Sequence, residues 1–200
     1  MAEVERAIEA LLAGGLAIVP TDTVYGLAAR ADAEAPVRRL YRAKGRGETQ
    51  PTALVAGSLD RLLSCLPELA GEAATVAGAL LPGPFTLIVQ NPARRFPWLT
   101  GGRPETIGVR VPLLAPPGAD LLAGVPALVA TSANLPGGRD PRRLDDVPEE
   151  LRREVDVLLD GGELPGIPST VLDLTGSEPR VLREGAVPAV EALQAIASVL

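Results

Sequence analysis

Histidine is absent from the 200-residue chain, cysteine occurs once, as Cys65, and lysine once, as Lys44, beside 18 arginines. Each scarcity removes chemistry. Without histidine there is no Ser-His-Asp triad, no Cys-His pair and no imidazole general base. One cysteine leaves no internal disulfide and no cysteine-built zinc site. Carboxylate metal sites survive that cut, but the sequence singles out no metal ligand. Only two asparagines occur, Asn91 and Asn134. The Arg-, Ala-, Gly- and Pro-rich remainder fits GC-rich coding, with or without thermophilic selection. Where arginine is used almost everywhere, a lone lysine marks either a place arginine cannot serve or a chance survivor.

Other absences concern location and ligands. Met1–Ala13 lacks the basic and then apolar order of a signal peptide. No apolar run approaches the roughly 20 residues of a membrane span. A soluble cytoplasmic protein without a membrane partner is expected. Neither G-x-x-x-x-G-K-[ST] nor G-x-G-x-x-G after a strand occurs, so any bound phosphate must be held largely by side-chain cations and hydroxyls.

What is present is a globular composition. Apolar residues make up 46%, mean hydropathy is +0.21, and a chain of this length can bury roughly 70% of its unfolded surface. One domain over residues 1–200 is expected. The net charge of −6 argues against a surface that grips nucleic acid throughout, yet leaves room for a local cationic pocket.

Apolar spacing predicts helices at Val4–Leu12 (stopped by Gly14-Gly15), around Val37–Tyr41 with Pro36 in the first turn, and at Leu59–Leu66, Pro67–Leu81, Pro148–Val155 and Val190–Leu200. Short apolar or alternating runs predict strands at Leu16–Val19, Ala53–Ala56, Phe85–Val89, Ile107–Val111, Ala127–Ala130, Val157–Leu159, Thr170–Leu174 and Arg180–Leu182. The interleaving favours an α/β fold of helices on a mixed sheet. Loops at 45–51, 91–104 and 135–143 are the places to look for ligand groups.

Several strings could carry chemistry. Lys44-Gly45-Arg46 could converge two cations on one anion, or could simply end a helix with Gly45 as its left-handed stop. Ser132-Ala133-Asn134 ends a strand and offers a hydroxyl and an amide, as an ordinary turn also would. Ser169-Thr170 opens another strand. In Thr106–Val111, Ile107, Val109 and Val111 share one face while Thr106, Gly108 and Arg110 share the other, a plausible small-anion seat. Buried arginines such as Arg110 and Arg183 need anionic partners, whether ligands or protein carboxylates. Pro20-Thr21-Asp22-Thr23-Val24-Tyr25-Gly26-Leu27 is the most specific string.

Taken in order, that string, Lys44-Gly45-Arg46, Leu81-Pro82-Gly83-Pro84-Phe85-Thr86-Leu87, Gly108–Pro112, Ser132-Ala133-Asn134, Ser169-Thr170-Val171 and Leu182–Gly185 resemble the YrdC family over about residues 10–187. The resemblance implies a YrdC-like fold, a twisted mixed sheet with flanking helices around a large positively charged cavity. It implies an L-threonylcarbamoyladenylate synthase, a nucleotidyltransferase that condenses L-threonine, bicarbonate and ATP for modification of tRNA adenosine 37. Lys44 and Arg46 would then carry catalysis. ATP would meet Lys44, Arg46, Gln50, Thr106, Ser132, Asn134, Asp140 and Arg183, with Mg²⁺ on its phosphates. L-Threonine would meet Thr23, Arg110 and Ser169, its carboxylate on Arg110. Expected partners are the proteins that pass the threonylcarbamoyl group to tRNA, with weak RNA binding besides. The pattern departs from the family at Gly47, Gln50 and Thr52, at Val55, where some relatives carry a threonine-contacting histidine, and at Asp140, where a serine is usual. These departures motivate a second reading, an altered paralogue that binds nucleotide or RNA without synthesis.

Overall fold

The computed structural model describes residues 2–47 and 49–200. In chain order the elements are α1 (Ala2–Leu12), β1 (Ala17–Val19), β2 (Gly26–Arg30), α2 (Glu34–Lys44), β3 (Ala53–Val55), α3 (Leu59–Cys65), α4 (Gly71–Leu80), β4 (Phe85–Gln90), β5 (Thr106–Arg110), α5 (Gly118–Gly124), β6 (Leu128–Ser132), α6 (Glu149–Glu154), β7 (Val157–Leu158), β8 (Thr170–Asp173), β9 (Arg180–Arg183) and α7 (Ala189–Ala197). The strands form one sheet in the order β7-β1-β2-β6-β3-β5-β4-β8-β9. The β7–β1, β3–β5 and β4–β8 pairs are parallel and the others antiparallel. This is the mixed α/β sheet that the sequence predicts.

Side-chain alternation sorts the two faces. On β4 and β5, Phe85, Leu87, Val89, Ile107 and Val109 are buried. With Leu54, Val129 and Leu172 they pack against Val37 and Leu40 of α2, Val76 and Leu80 of α4, and Ile196 of α7 in the main core. On the opposite face α1 and α5 cover the β7–β1–β2–β6 end and reach Val55 of β3. Val4, Ala7, Leu11, Leu121 and Leu122 bury Ala17, Val19, Ala28 and Leu128 there. The rest of that face lies outside this second core, and the cavity described below stands on it.

Several predicted boundaries shift. The helix expected from Pro67 begins only at Gly71. Ala70 is extended and Gly71 takes φ +61°, so residues 67–70 instead make a turn that buries Leu69. Two elements carry little sequence signal. β2, Gly-Leu-Ala-Ala-Arg, has no β-branched residue. The seven residues of α5 run from glycine to glycine.

Candidate active site

Six strands contribute small side chains to the floor of the cavity: Gly26 of β2, Ala130 of β6, Ala53 of β3, Gly108 of β5, Thr86 of β4 and Val171 of β8. The space enclosed is about 510 Å³, within the usual range for a small-molecule site. Arg46, Thr49 and Pro51 come from the first predicted loop, Thr100, Gly102 and Arg103 from the second, and Asp140 from the third. The first two loops are tied together. Thr52 N–H donates to the Leu99 carbonyl at 2.9 Å, and Gly101, at φ +60°, lets the second loop lie so close that a Cβ would collide with the Thr49 carbonyl. Among the described residues Arg46, Arg103, Arg110 and Arg183 face one lining carboxylate, Asp140, so this lining is cationic in an acidic protein. Eight threonines and two serines supply hydroxyls.

At one end stands Arg110, on the polar face of β5 with Thr106 and Gly108, as the alternation predicts. Its anionic partner is Asp22, from the loop after β1. Nη2 bonds Asp22 and, at 2.8 Å, Thr23 Oγ1. The other oxygen of Asp22 accepts Leu113 N–H at 3.1 Å, and Thr21 Oγ1 meets Thr23 Oγ1 at 3.0 Å. The pair is largely shielded, with 14% and 8% of the two side chains exposed. Arg110 Nε has no protein partner, so the guanidinium is anchored through one nitrogen with donor capacity to spare.

Ser169 and Arg183 adjoin this end. Arg183 Nη2 and Nε donate to the Ser169 carbonyl at 2.8 and 3.2 Å, Nη2 also reaches Ser169 Oγ at 3.2 Å, and Ser169 Oγ meets Thr86 Oγ1 at 2.8 Å. Among the described residues Arg183 forms no ion pair, and burial lowers its pKa. Gly185 keeps the β9 end close, since a Cβ there would overlap the Pro168 carbonyl.

The Lys44-Gly45-Arg46 tripeptide does two things at once. Gly45, at φ +64°, is the left-handed cap of α2, and the turn sends the two cations apart. Arg46 reaches the lining, its Nη1 on Thr131 Oγ1 at 3.1 Å and its Nη2 on the Pro51 carbonyl at 2.6 Å. Lys44 is 6% exposed and stands behind the wall. Its Nζ donates to the Ser132 carbonyl, to Ser132 Oγ at 3.3 Å and to Asn134 Oδ1 at 2.7 Å. Burial first, and Arg46 second, pull its pKa down to about 8, against a smaller opposing pull from Asp140.

Of the residues expected on ATP, the structure therefore brings Arg46, Thr106, Ser132, Asp140 and Arg183 to the lining. Lys44 and Asn134 lie behind Ser132, and Gln50 is exposed outside the cavity. Thr23, Arg110 and Ser169 all line it, as does Val55. Asp22, Thr86 and Arg103 belong to the site but had no predicted role. Asp22 sits inside the most specific string, and Arg103 inside a loop already marked for ligands. Thr86 sits inside the Leu81–Leu87 string of the resemblance.

A family model for the Sua5, YciO and YrdC proteins, described as telomere recombination, matches residues 9–185. The chain belongs to this family. A putative threonylcarbamoyl-AMP synthase of Mycobacterium tuberculosis is 37% identical over 187 residues, 90% of this chain and 83% of that protein. The threonylcarbamoyl-AMP synthase of Pyrococcus abyssi is 35% identical over 88% of this chain and 52% of its own length. The crystal structure of P. abyssi Sua5 complexed with L-threonine superposes with a TM-score of 0.87 at 34% identity, over 98% of this chain and 58% of that one. Escherichia coli YciO gives 0.82 at 27% identity, over 95% and 92%. The chain thus spans little more than half of the archaeal relative and most of the mycobacterial one. The YrdC-like fold expected from the motifs is the fold observed.

Proposed function

We propose that the chain is an L-threonylcarbamoyladenylate synthase, condensing L-threonine, bicarbonate and ATP to threonylcarbamoyl-AMP, pyrophosphate and water. The observation that carries the reading is the gathering, in one cavity, of an anchored but incompletely used guanidinium at Arg110, of Arg183 beside it, and of a further cation at Arg46. A small amino acid and a polyphosphate have opposite needs for shape but the same need for fixed positive charge. Likeness to a Sua5 structure holding L-threonine supports placing the amino acid in the cavity.

In this reading the threonine carboxylate takes the spare donors of Arg110, with Thr23 and Ser169 beside it. The threonine amine and bicarbonate give a carbamate and water. A carbamate oxygen then attacks the α-phosphorus, the bond to the β-phosphate oxygen breaks, and pyrophosphate leaves with that electron pair. No histidine exists to act as base, and none is required once the carbamate is an anion. The protein's share is alignment and stabilisation of developing charge, through Arg46 and Arg183.

Mg²⁺ fits as a passenger on the phosphates, where it would spread their charge. Among the described residues no three His, Cys, Asp or Glu side chains group as a metal site. Among the described residues Asp140 is the one carboxylate that lines the cavity and could join such an ion, while Asp22 is engaged by Arg110. One carboxylate with substrate phosphates is a common Mg²⁺ environment. The product would be handed to the proteins that modify adenosine 37 of tRNA, in the cytoplasm. Among the described residues no helix is long and apolar enough to cross a membrane.

Asp140 also favours the second reading, a nucleotide binder without synthesis, because it puts negative charge where phosphates would sit. One assay separates the two. Pyrophosphate release from ATP, measured with and without threonine and bicarbonate, should depend on both; threonine-independent or absent release overturns the synthase reading.

A further inference from the structure

We propose that Lys44 is a positioning residue rather than a phosphate contact: from behind the wall it shapes the Ser132–Asp140 loop and turns Ser132 into a hydrogen-bond acceptor toward the nucleotide, leaving the phosphates to Arg46 and Arg183. The inference rests on the reading that a nucleotide occupies this cavity. Hydrogen-bond accounting carries it. An ammonium has three N–H donors and no acceptor, and all three have protein partners: the Ser132 carbonyl, Ser132 Oγ and Asn134 Oδ1. Lys44 does not line the cavity, so a phosphate could reach it only by stripping those bonds.

The consequence runs outward. Asn134 must turn its oxygen to Lys44, since the amide nitrogen there would set donor against donor. That orientation sends Nδ2 to the Gly138 carbonyl at 2.7 Å and to Asp140 Oδ1 at 3.3 Å, fixing where the loop and its carboxylate lie. Asn134 Oδ1 also takes the Ser132 hydroxyl proton, at 2.7 Å. Ser132 Oγ thus gives its only proton inward and receives one bond from Lys44. A lone pair is what remains for the cavity. A phosphate oxygen cannot use it; a ribose hydroxyl or the adenine amino group can. Ser132 therefore selects a nucleoside donor, and the arginines select the anion.

Lys44 also gives the site a titration that a protein without histidine would otherwise lack near neutrality. Its charge is already shifted to titrate at about 8. The neutral amine keeps two donors for three acceptors, so the loop loosens above that pH. The charged groups facing Lys44 among the described residues are Arg46, beyond the cap of its own helix, and Asp140 from the loop.

Two arms test this. In the first, wild type and Lys44→Arg are assayed from pH 7 to 10 on the same substrates, and the ratio of rates is taken so that substrate ionisation cancels. The ratio should fall at least fivefold across pH 8, because a guanidinium keeps its charge. A flat ratio overturns the proposal. Calorimetry on Lys44→Met should show equal fold losses for ATP and adenosine; a loss confined to ATP would make Lys44 a phosphate contact. The second arm needs no turnover. With only two asparagines, ¹⁵N-asparagine labelling yields two side-chain amide pairs. The Asn134 pair should shift with a midpoint near pH 8 in wild type and stay still in Lys44→Met, with Asn91 unmoved in both. An Asn134 amide indifferent to pH overturns the proposal even if the enzyme turns over. A shifting amide in a protein without turnover leaves the proposal standing and removes the synthase reading instead.

Discussion

Replacing Arg110 by methionine separates what the guanidinium does for the fold from what it does for the ligand. In the folded protein Arg110 neutralises Asp22 where both are shielded. Methionine keeps much of the side-chain length but leaves Asp22 without a cation, and removing one partner of a buried pair costs about 3–5 kcal/mol. The urea midpoint should drop accordingly. The ligand loses a charge-assisted bond to its carboxylate, about 1.5–3 kcal/mol, or roughly tenfold to a hundredfold in threonine affinity. It also meets the exposed charge of Asp22. The double variant Asp22→Asn, Arg110→Met removes both charges and should regain most of the stability while leaving threonine binding weak. The complementary variant, Asp22→Asn alone, frees the cation, so threonine should raise its melting temperature more than that of wild type. Chemical denaturation and threonine calorimetry on the four proteins close the cycle. Threonine affinity within twofold of wild type in a folded Arg110→Met protein would refute the placement of the carboxylate.

Three further outcomes follow from the same geometry. Gly101→Ala, at φ +60° against the Thr49 carbonyl, should part the two roof loops, costing about 1–2 kcal/mol of stability and raising the ATP KM, whereas Gly102→Ala, with open space around it, should change neither. Asp140→Ser should tighten ATP severalfold, as about 1 kcal/mol of relieved like-charge repulsion implies, and calorimetry with and without Mg²⁺ would show whether the ion had been masking the charge. Stability should peak near pH 10. Lys44, lowered to about 8, has shed in the folded state a proton that the unfolded chain keeps until about 10.5, so its contribution rises over that window. Tyr25, buried and raised to about 12, holds a proton that the unfolded chain loses near 10, so its contribution falls from there to 12. Urea midpoints between pH 7.5 and 12 check both limbs, and Lys44→Met should abolish the rising one.

Much of the floor was legible because it obeys a period. On β5 the alternation of Thr106, Gly108 and Arg110 with Ile107, Val109 and Val111 fixes which face meets ligand before any partner strand is known. The roof was legible as loops, and all three predicted loops reach the cavity. What the sequence could not carry is direction across a cap. Lys44 and Arg46 are two residues apart, and from the chain alone they could converge on one anion. The left-handed turn at Gly45 sends one behind the wall and the other onto it. The Arg110–Asp22 pair was hidden for a different reason. Its members are 88 residues apart, and a buried arginine on a strand announces only that some anion is near, not whether it belongs to the protein or to its ligand.

Lys44 then answers the question that its rarity raised. A guanidinium in its place would bring five donors in a planar fork to three acceptors arranged around a point. It would also carry more bulk into a space that leaves lysine 6% exposed. A cation that touched phosphate could tolerate that exchange, because arginine binds phosphate well. A cation that must satisfy the Ser132 carbonyl, Ser132 Oγ and Asn134 Oδ1 together cannot. In a chain that uses arginine at 18 of its 19 cationic positions, lysine stands where three hydrogen bonds have to radiate from a single cationic atom.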